Sequence, residues 1–316
     1  MKLKVTNLDE ALSFYGHGKL LITSEYFVLD GALALAVPTK FGQTLRVRPL
    51  HSGDSTLYWV ALNNKKQAWL NLVFDTTDFT CLNAQTPETG RLTKMLQQAR
   101  KQNPAFLADK KDYAVETALQ FPNEWGLGSS STLIHCLAEW AQVNAHELLQ
   151  NTIGGSGYDV ACAGSNTPLI YRLENGKPVT MKAKWQPAFS DSLYFVYTGK
   201  KQLSSEGISH YRTALNDKTH GVKELSRITE LLLKAETLDV FEELINEHEN
   251  IVGAQLKMIK VKDSLFSDYW GSVKSLGAWG GDFVLMTNTK GKEELSAYLQ
   301  SKQIDTLFSW DELLLT

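Results

Sequence analysis

The sequence predicts an α+β fold, and two observations carry that prediction. Strand-like and helical segments are mixed along the chain rather than strictly alternating, which disfavours a doubly wound parallel sheet. A strand-rich first part gives way, between Tyr113 and Val143, to the order strand, glycine-rich loop, helix.

Leu20 to Leu29 is apolar and aromatic apart from Thr23, Ser24 and Glu25, and reads as extended. Leu33 to Val37 and Thr44 to Val47 read the same way, between glycine and proline breakers. Leu57 to Leu62 and Ala68 to Phe74 predict a hairpin around Asn63-Asn64-Lys65-Lys66. Arg91 to Gln102 predicts a helix stopped near Pro104. Tyr113, Val115, Thr117, Leu119 and Phe121 then alternate with a period of two, a strand that Pro122 ends. Thr132 to Val143 is helical, with apolar positions Leu133, Leu137, Trp140 and Ala141. Strands follow at Pro168 to Leu173 and Ser192 to Tyr197, and two amphipathic helices within Val222 to Leu256. Phe283 to Thr287 is a strand and Lys292 to Leu299 a helix. A domain boundary is expected near Asn175-Gly176-Lys177-Pro178, giving domains 1–180 and 181–316.

With 32 Lys and Arg against 35 Asp and Glu, the 316 residues carry a net charge of -3, without the basic footprint that nucleic acid requires. The opening MKLKVTNLDEALSF lacks the apolar core of a secretory signal, and no apolar run is long enough to span a bilayer. Cys81, Cys136 and Cys162 are too few and scattered for a disulfide framework or zinc cage, and read as small apolar residues. A cytoplasmic protein, monomer or homodimer, acting on a small molecule and on neither nucleic acid nor membrane is expected.

The most informative stretch is Pro122-Asn123-Glu124-Trp125-Gly126-Leu127-Gly128-Ser129-Ser130-Ser131. Glycines let the main chain approach an anion closely, and the N–H groups and dipole of the following helix favour phosphate there. Serine hydroxyls add donors to phosphate oxygens or a hard oxygen ligand for Mg²⁺. The plainer alternative is a serine-rich helix cap. No Gly-Lys-Ser/Thr ends the loop, so it is not a Walker A sequence. Ser131 stands where the dinucleotide fingerprint requires Gly or Ala, which argues against a Rossmann oxidoreductase.

This loop resembles the second motif of the GHMP kinases, Pro-x-x-x-Gly-Leu-Gly-Ser-Ser-Ala, with Ser131 for the usual Ala. Gly16-His17-Gly18-Lys19-Leu20-Leu21-Ile22-Thr23-Ser24-Glu25-Tyr26 resembles the first motif, with His17 for proline and Ser24 for glycine. Gly155-Ser156-Gly157-Tyr158-Asp159 is similar to the segment that holds the family's catalytic aspartate. Gly277-Ala278-Trp279-Gly280-Gly281-Asp282-Phe283 resembles the third, glycine-rich motif, with Trp279 at a usual glycine. The four matches occur in the family's order. The resemblance implies a ribosomal protein S5 domain 2-like N-terminal domain, a ferredoxin-like C-terminal domain, and ATP meeting its acceptor between them.

By that resemblance Asp159 is the base that deprotonates the acceptor hydroxyl, where a loop aspartate would otherwise read as a helix cap. Lys19 would neutralise charge developing on the phosphoryl group. Gly126, Leu127, Gly128, Ser129, Ser130 and Ser131 would bind the phosphates of ATP, with Ser130 as the Mg²⁺ ligand. Glu25, Ser156, Gly157, Gly280 and Gly281 would line the acceptor side, Glu25 needing a partner for which Lys19 is one candidate. Glu147 is close in sequence to the family's acidic metal ligand but out of register. The motif strings are closest to the mevalonate and phosphomevalonate kinase branch. 5-Phosphomevalonate is favoured as acceptor, mevalonate next, and Lys200, Lys201 and Arg172 could supply cations for a phosphorylated acceptor. The alternatives are another acceptor (a sugar or homoserine) and a non-catalytic ligand-binding relative.

Overall fold

The structure is a computed structural model and describes residues 11–50, 53–200, 204–214, 217–277, 279 and 282–316. The described residues of Met1–Gly18, Phe41–Asn123 and Gly128–Gly164 form one compact unit. Those of Lys19–Lys40, Glu124–Leu127 and Ser165–Thr316 form a second.

The first unit is built from parts of the paired strands β1 (Leu12–Leu21) and β2 (Ala34–Leu50), with β3 (Thr56–Leu62), β4 (Ala68–Asp75), α1 (Pro87–Gln102), β5 (Asp112–Leu119), α2 (Ser129–Ala141), α3 (Ala145–Gln150) and α4 (Tyr158–Ala163). Its strands run in the order β4-β3-β5-β2, β3 and β5 parallel and the other neighbours antiparallel. Alternate residues of the strands face one way: Leu45, Val47, Leu57, Trp59, Leu72, Phe74 and Val115 pack with Leu92, Met95, Leu96 and Ala99 of α1 and Ile134, Leu137 and Ala138 of α2. Thr86 starts α1 by accepting the Thr89 N–H on its side chain, and Pro87 supplies a first residue that needs no hydrogen-bond acceptor.

In the second unit, Ala34–Ala36 of β2 pair antiparallel with β6 (Leu169–Glu174), and β6 pairs antiparallel with β7 (Lys177–Lys182). Asn175 and Gly176, at φ 51° and 75°, form the two-residue turn between β6 and β7, a geometry Asn-Gly adopts readily. Then come β8 (Leu193–Tyr197), α5 (Ser204–Ala214), α6 (Thr219–Leu232), α7 (Leu238–Leu256), α8 (Val261–Leu265), β9 (Val273–Leu276), β10 (Phe283–Thr287), α9 (Lys292–Ser301), β11 (Leu307–Ser309) and α10 (Trp310–Leu313). The sheet order is β11-β8-β10-β9 with every neighbour antiparallel. Counted in order of appearance this is 4-1-3-2, the ferredoxin-like arrangement the motifs imply.

Two readings need correction. Leu20 to Leu29 is not one strand: β1 ends at Leu21 and Phe27–Asp30 is a 3-10 turn. Ser24 and Tyr26 sit at φ 66° and 62°, which no strand accommodates. Conversely, Leu33 to Val37 and Thr44 to Val47 belong to one continuous strand, β2, which runs through the supposed breakers Pro38 and Gly42. Gly42 is there for space, because a Cβ on it would fall 2.3 Å from the Gly16 carbonyl oxygen and 2.5 Å from the Tyr15 ring. Gly16 in turn lies against the backbone of Thr132 on α2. Gly42→Ala should therefore lower stability by about 1–3 kcal/mol or more, read as a lower urea midpoint with an unchanged slope.

Candidate active site

The segment that leads into α2 turns twice through backbone that glycine favours, Gly126 at φ 68° and Gly128 at φ 90°. Gly128 is the N-cap of α2 and offers no side chain, so the first amides of the helix are left for another acceptor. Ser131 and Thr132 N–H already bond the Gly128 carbonyl. Ser129 Oγ donates to Asn123 Oδ1 at 2.6 Å, while Ser130 is exposed.

Upstream, within the second unit, the loop is clamped. Lys19 N–H donates to Leu127 O at 3.0 Å and Lys19 Nζ to Gly126 O at 2.7 Å. Leu127 is fully buried, and the Trp125 ring packs on Tyr197, Phe283 and Phe308. Asp282 lies so close that a Cβ on Gly126 would fall 2.4 Å from its Oδ2. Gly126 thus has a cation on its carbonyl and a carboxylate on its other side, and only glycine fits between.

Asp159 is half-buried in the first turn of α4, whose N-cap is Gly157 at φ 89°. Its Oδ2 accepts the Ser131 hydroxyl at 2.5 Å, and its Oδ1 accepts Val160 N–H at 3.0 Å. The hydroxyl of Ser131, an expected phosphate ligand, donates here to the candidate base. No motif points to His146 on α3, whose charge interacts with Asp159 and whose buried Nδ1 lacks a hydrogen-bond partner. Ser156 is buried beside Gly157. Glu147 is exposed at the start of α3, its N–H capped by Asn144. Among the described residues no group of three or more His, Cys, Asp or Glu is placed to hold a metal.

Glu25 has a partner other than Lys19. It is fully buried, and its Oε1 accepts Lys274 Nζ at 2.6 Å. Around this pair Glu249 Oε1 lies 3.6 Å from Lys274 Nζ, and His248 Nε2 lies 3.2 Å from Glu25 Oε2. His248 Nε2 accepts the Ser24 N–H at 2.8 Å, so it carries no proton. Burial, reinforced by Lys274, accordingly holds the imidazole well below its ordinary proton affinity. Two carboxylates then share one ammonium. Burial outweighs Lys274 and pushes Glu25 up to about 7, and burial likewise raises Glu249. A proton on Glu25 also relieves the opposition between its Oε2 and the Nε2 lone pair. The unusual Ser24, where the first motif has glycine, keeps glycine's backbone and ties its hydroxyl to Leu33 O at 2.7 Å.

Trp279, the bulkiest departure from the third motif, points inward. It is 1% exposed, its N–H donates to Tyr26 Oη at 2.9 Å, and its ring edge lies over Gly253 of α7, where an added Cβ would come within 3.0 Å. Gly280, Gly281 and Lys201 lie outside the described residues. Lys200 is exposed and its carbonyl accepts Asp282 N–H at 2.7 Å, while Arg172 is ion-paired with Glu174.

No family model and no curated protein matches the sequence. Solved structures do. The mevalonate kinase of Methanococcus jannaschii superposes with a TM-score of 0.70 at 15% identity, over 98% of this chain and 100% of that one. Streptococcus pneumoniae phosphomevalonate kinase, in complex with phosphomevalonate and AMPPNP, gives 0.70 at 14% identity over 94% and 99%. Lactococcus lactis galactokinase, complexed with galactose, gives 0.69 at 13% over 97% and 94%. The chain has the GHMP-kinase fold over nearly its whole length, as its four motifs imply. No helix among the described residues is long and apolar enough to cross a membrane.

The buried cluster makes stability depend on pH in a definite direction. Glu25 holds its proton to about 7 when folded and only to 4.5 when unfolded, so rising pH across that window favours the unfolded chain. Glu25→Gln, which stays neutral, should gain stability relative to the native chain between pH 4.5 and 7, by on the order of 3 kcal/mol. Urea melts of the two proteins at both pH values measure it, and a constant difference contradicts the assignment.

Proposed function

We propose that this protein is an ATP-dependent small-molecule kinase of the GHMP type. The observation that carries the reading is the hydrogen bond from Ser131, third residue of the helix behind the glycine loop, to Asp159. A helix start suited to phosphate and a carboxylate suited to take a hydroxyl proton are thereby held in one unit.

The residues fit a bound nucleotide. Gly126 and Gly128 bring bare backbone to the surface of the loop, and the first amides of α2 can receive phosphate oxygens. The exposed Ser130 hydroxyl is the protein oxygen available to Mg²⁺, which commonly binds through few protein ligands together with nucleotide phosphates and water. The metal, when bound, neutralises charge on the phosphates. Asp159 has one lone pair free on each carboxylate oxygen after its two hydrogen bonds, so it can accept the proton of an acceptor hydroxyl. Lys19, anchored on Gly126 O, supplies a cation to the phosphate loop. The reading does not require Glu25 to touch the acceptor; its buried pairing with Lys274 supports a role in holding the first motif in shape.

For the acceptor, the motif strings favour 5-phosphomevalonate, with mevalonate next. The likeness to structures of both mevalonate and phosphomevalonate kinases supports that branch, and the likeness to a galactokinase keeps a sugar as an alternative. The inward-turned Trp279 weighs against reading its bulk as a blocked site.

A coupled ADP-release assay with Mg-ATP, run in parallel on 5-phosphomevalonate, mevalonate, galactose and homoserine, should show turnover on one of them. Asp159→Asn should lower kcat on that acceptor by at least about a hundred-fold. Turnover on none with ATP still bound would favour a non-catalytic relative, and an undiminished Asp159→Asn enzyme would remove Asp159 as the base.

A further inference from the structure

We propose that Ser131 is a positioning residue: its hydroxyl fixes the orientation of the Asp159 carboxylate and links it rigidly to the phosphate-loop helix. The inference deepens the kinase reading and rests on it for its rate consequences, though not for the contact itself.

Ser131 is 4% exposed, so its hydroxyl does not have water as a ready alternative partner. Its own N–H is engaged with Gly128 O inside the helix start. The Oγ to Oδ2 separation is 2.5 Å, a short hydroxyl-to-carboxylate hydrogen bond. With Val160 N–H on Oδ1, both oxygens are held, and the plane of the carboxylate is fixed by one contact from α2 and one from α4. The second motif ordinarily has alanine at this position, which could supply no such donor. A hydroxyl here therefore changes the base rather than the phosphate contacts.

The elements packed against α4 are α2 and α3. Their titratable groups are His135, Cys136 and Glu139 on α2, and His146 and Glu147 on α3. His135 pairs with Glu139 at 3.6 Å and abuts Gly164, at the end of α4 away from Asp159. Burial pushes the Cys136 thiol up to about 12, so it stays neutral. Glu147 is exposed. Burial lowers His146 while Asp159 pulls it back up, and the hydrogen-bond donors on the Asp159 carboxylate are the Ser131 hydroxyl and Val160 N–H.

Ser131→Ala and Ser131→Thr, with circular dichroism to check folding, test this. In Ser131→Ala kcat should fall roughly ten-fold while the KM for Mg-ATP is unchanged. Ser131→Thr should restore kcat, and the loss in Ser131→Ala should persist in a His146→Gln background. The carbon-13 chemical shift of the Asp159 carboxyl should change in Ser131→Ala and return in Ser131→Thr, independently of turnover. An unmoved carboxyl chemical shift overturns the proposal even if the enzyme is active, and so does a loss of kcat that Ser131→Thr does not restore. A changed carboxyl chemical shift in a protein that phosphorylates none of the acceptors leaves the positioning role standing and removes the kinase reading instead.

Discussion

The backbone at Gly126 and Gly128 is held at positive φ, and the geometry of the candidate site depends on keeping it there. A chain free to relax would leave that region, since the entropy lost by a fixed glycine exceeds that of any other residue. The clamp comes from the second unit's own residues. Lys19 bonds two consecutive carbonyls of the loop, Leu127 is sealed in the interior, and Trp125 is seated on three aromatic rings. Lys19 is thus a structural residue as well as a candidate catalytic one.

The first motif is organised around charge rather than apolar packing. Glu25, Lys274, His248 and Glu249 are all essentially withdrawn from water, and such a group is tolerated only when its charges compensate and its donors find acceptors. Here compensation takes a neutral imidazole and one shared proton. The cluster pins the irregular stretch between β1 and the 3-10 turn, where Ser24 and Tyr26 leave the strand geometry. A change of protonation here would act on the same stretch that presents Lys19.

Much of this was legible from residue order. The hairpin of β3 and β4, strand β5 and helix α2 follow from period and breakers, because each is long enough for alternation or helical spacing to declare itself. The short elements α3, α4, β9 and β11 were not legible, as three to six residues carry no period. The turn hidden in Leu20 to Leu29 was missed because Ser24 and Tyr26 are not residues that announce positive φ. Gly42 read as a breaker because sequence cannot distinguish a glycine needed for its φ from one needed for its size.

By itself, the sequence determined the α+β class, the glycine turn before α2, and which residues bear chemistry, since these depend on local backbone preference and residue type. Only the tertiary structure decided what those residues touch. Glu25 belongs to Lys274, 249 positions away, and the Ser131 hydroxyl bonds Asp159, 28 positions away. Trp279 fills the space that Gly253 leaves. Partners so distant along the chain are set by how the elements pack, and a buried polar group takes whichever partner that packing brings within about 3 Å.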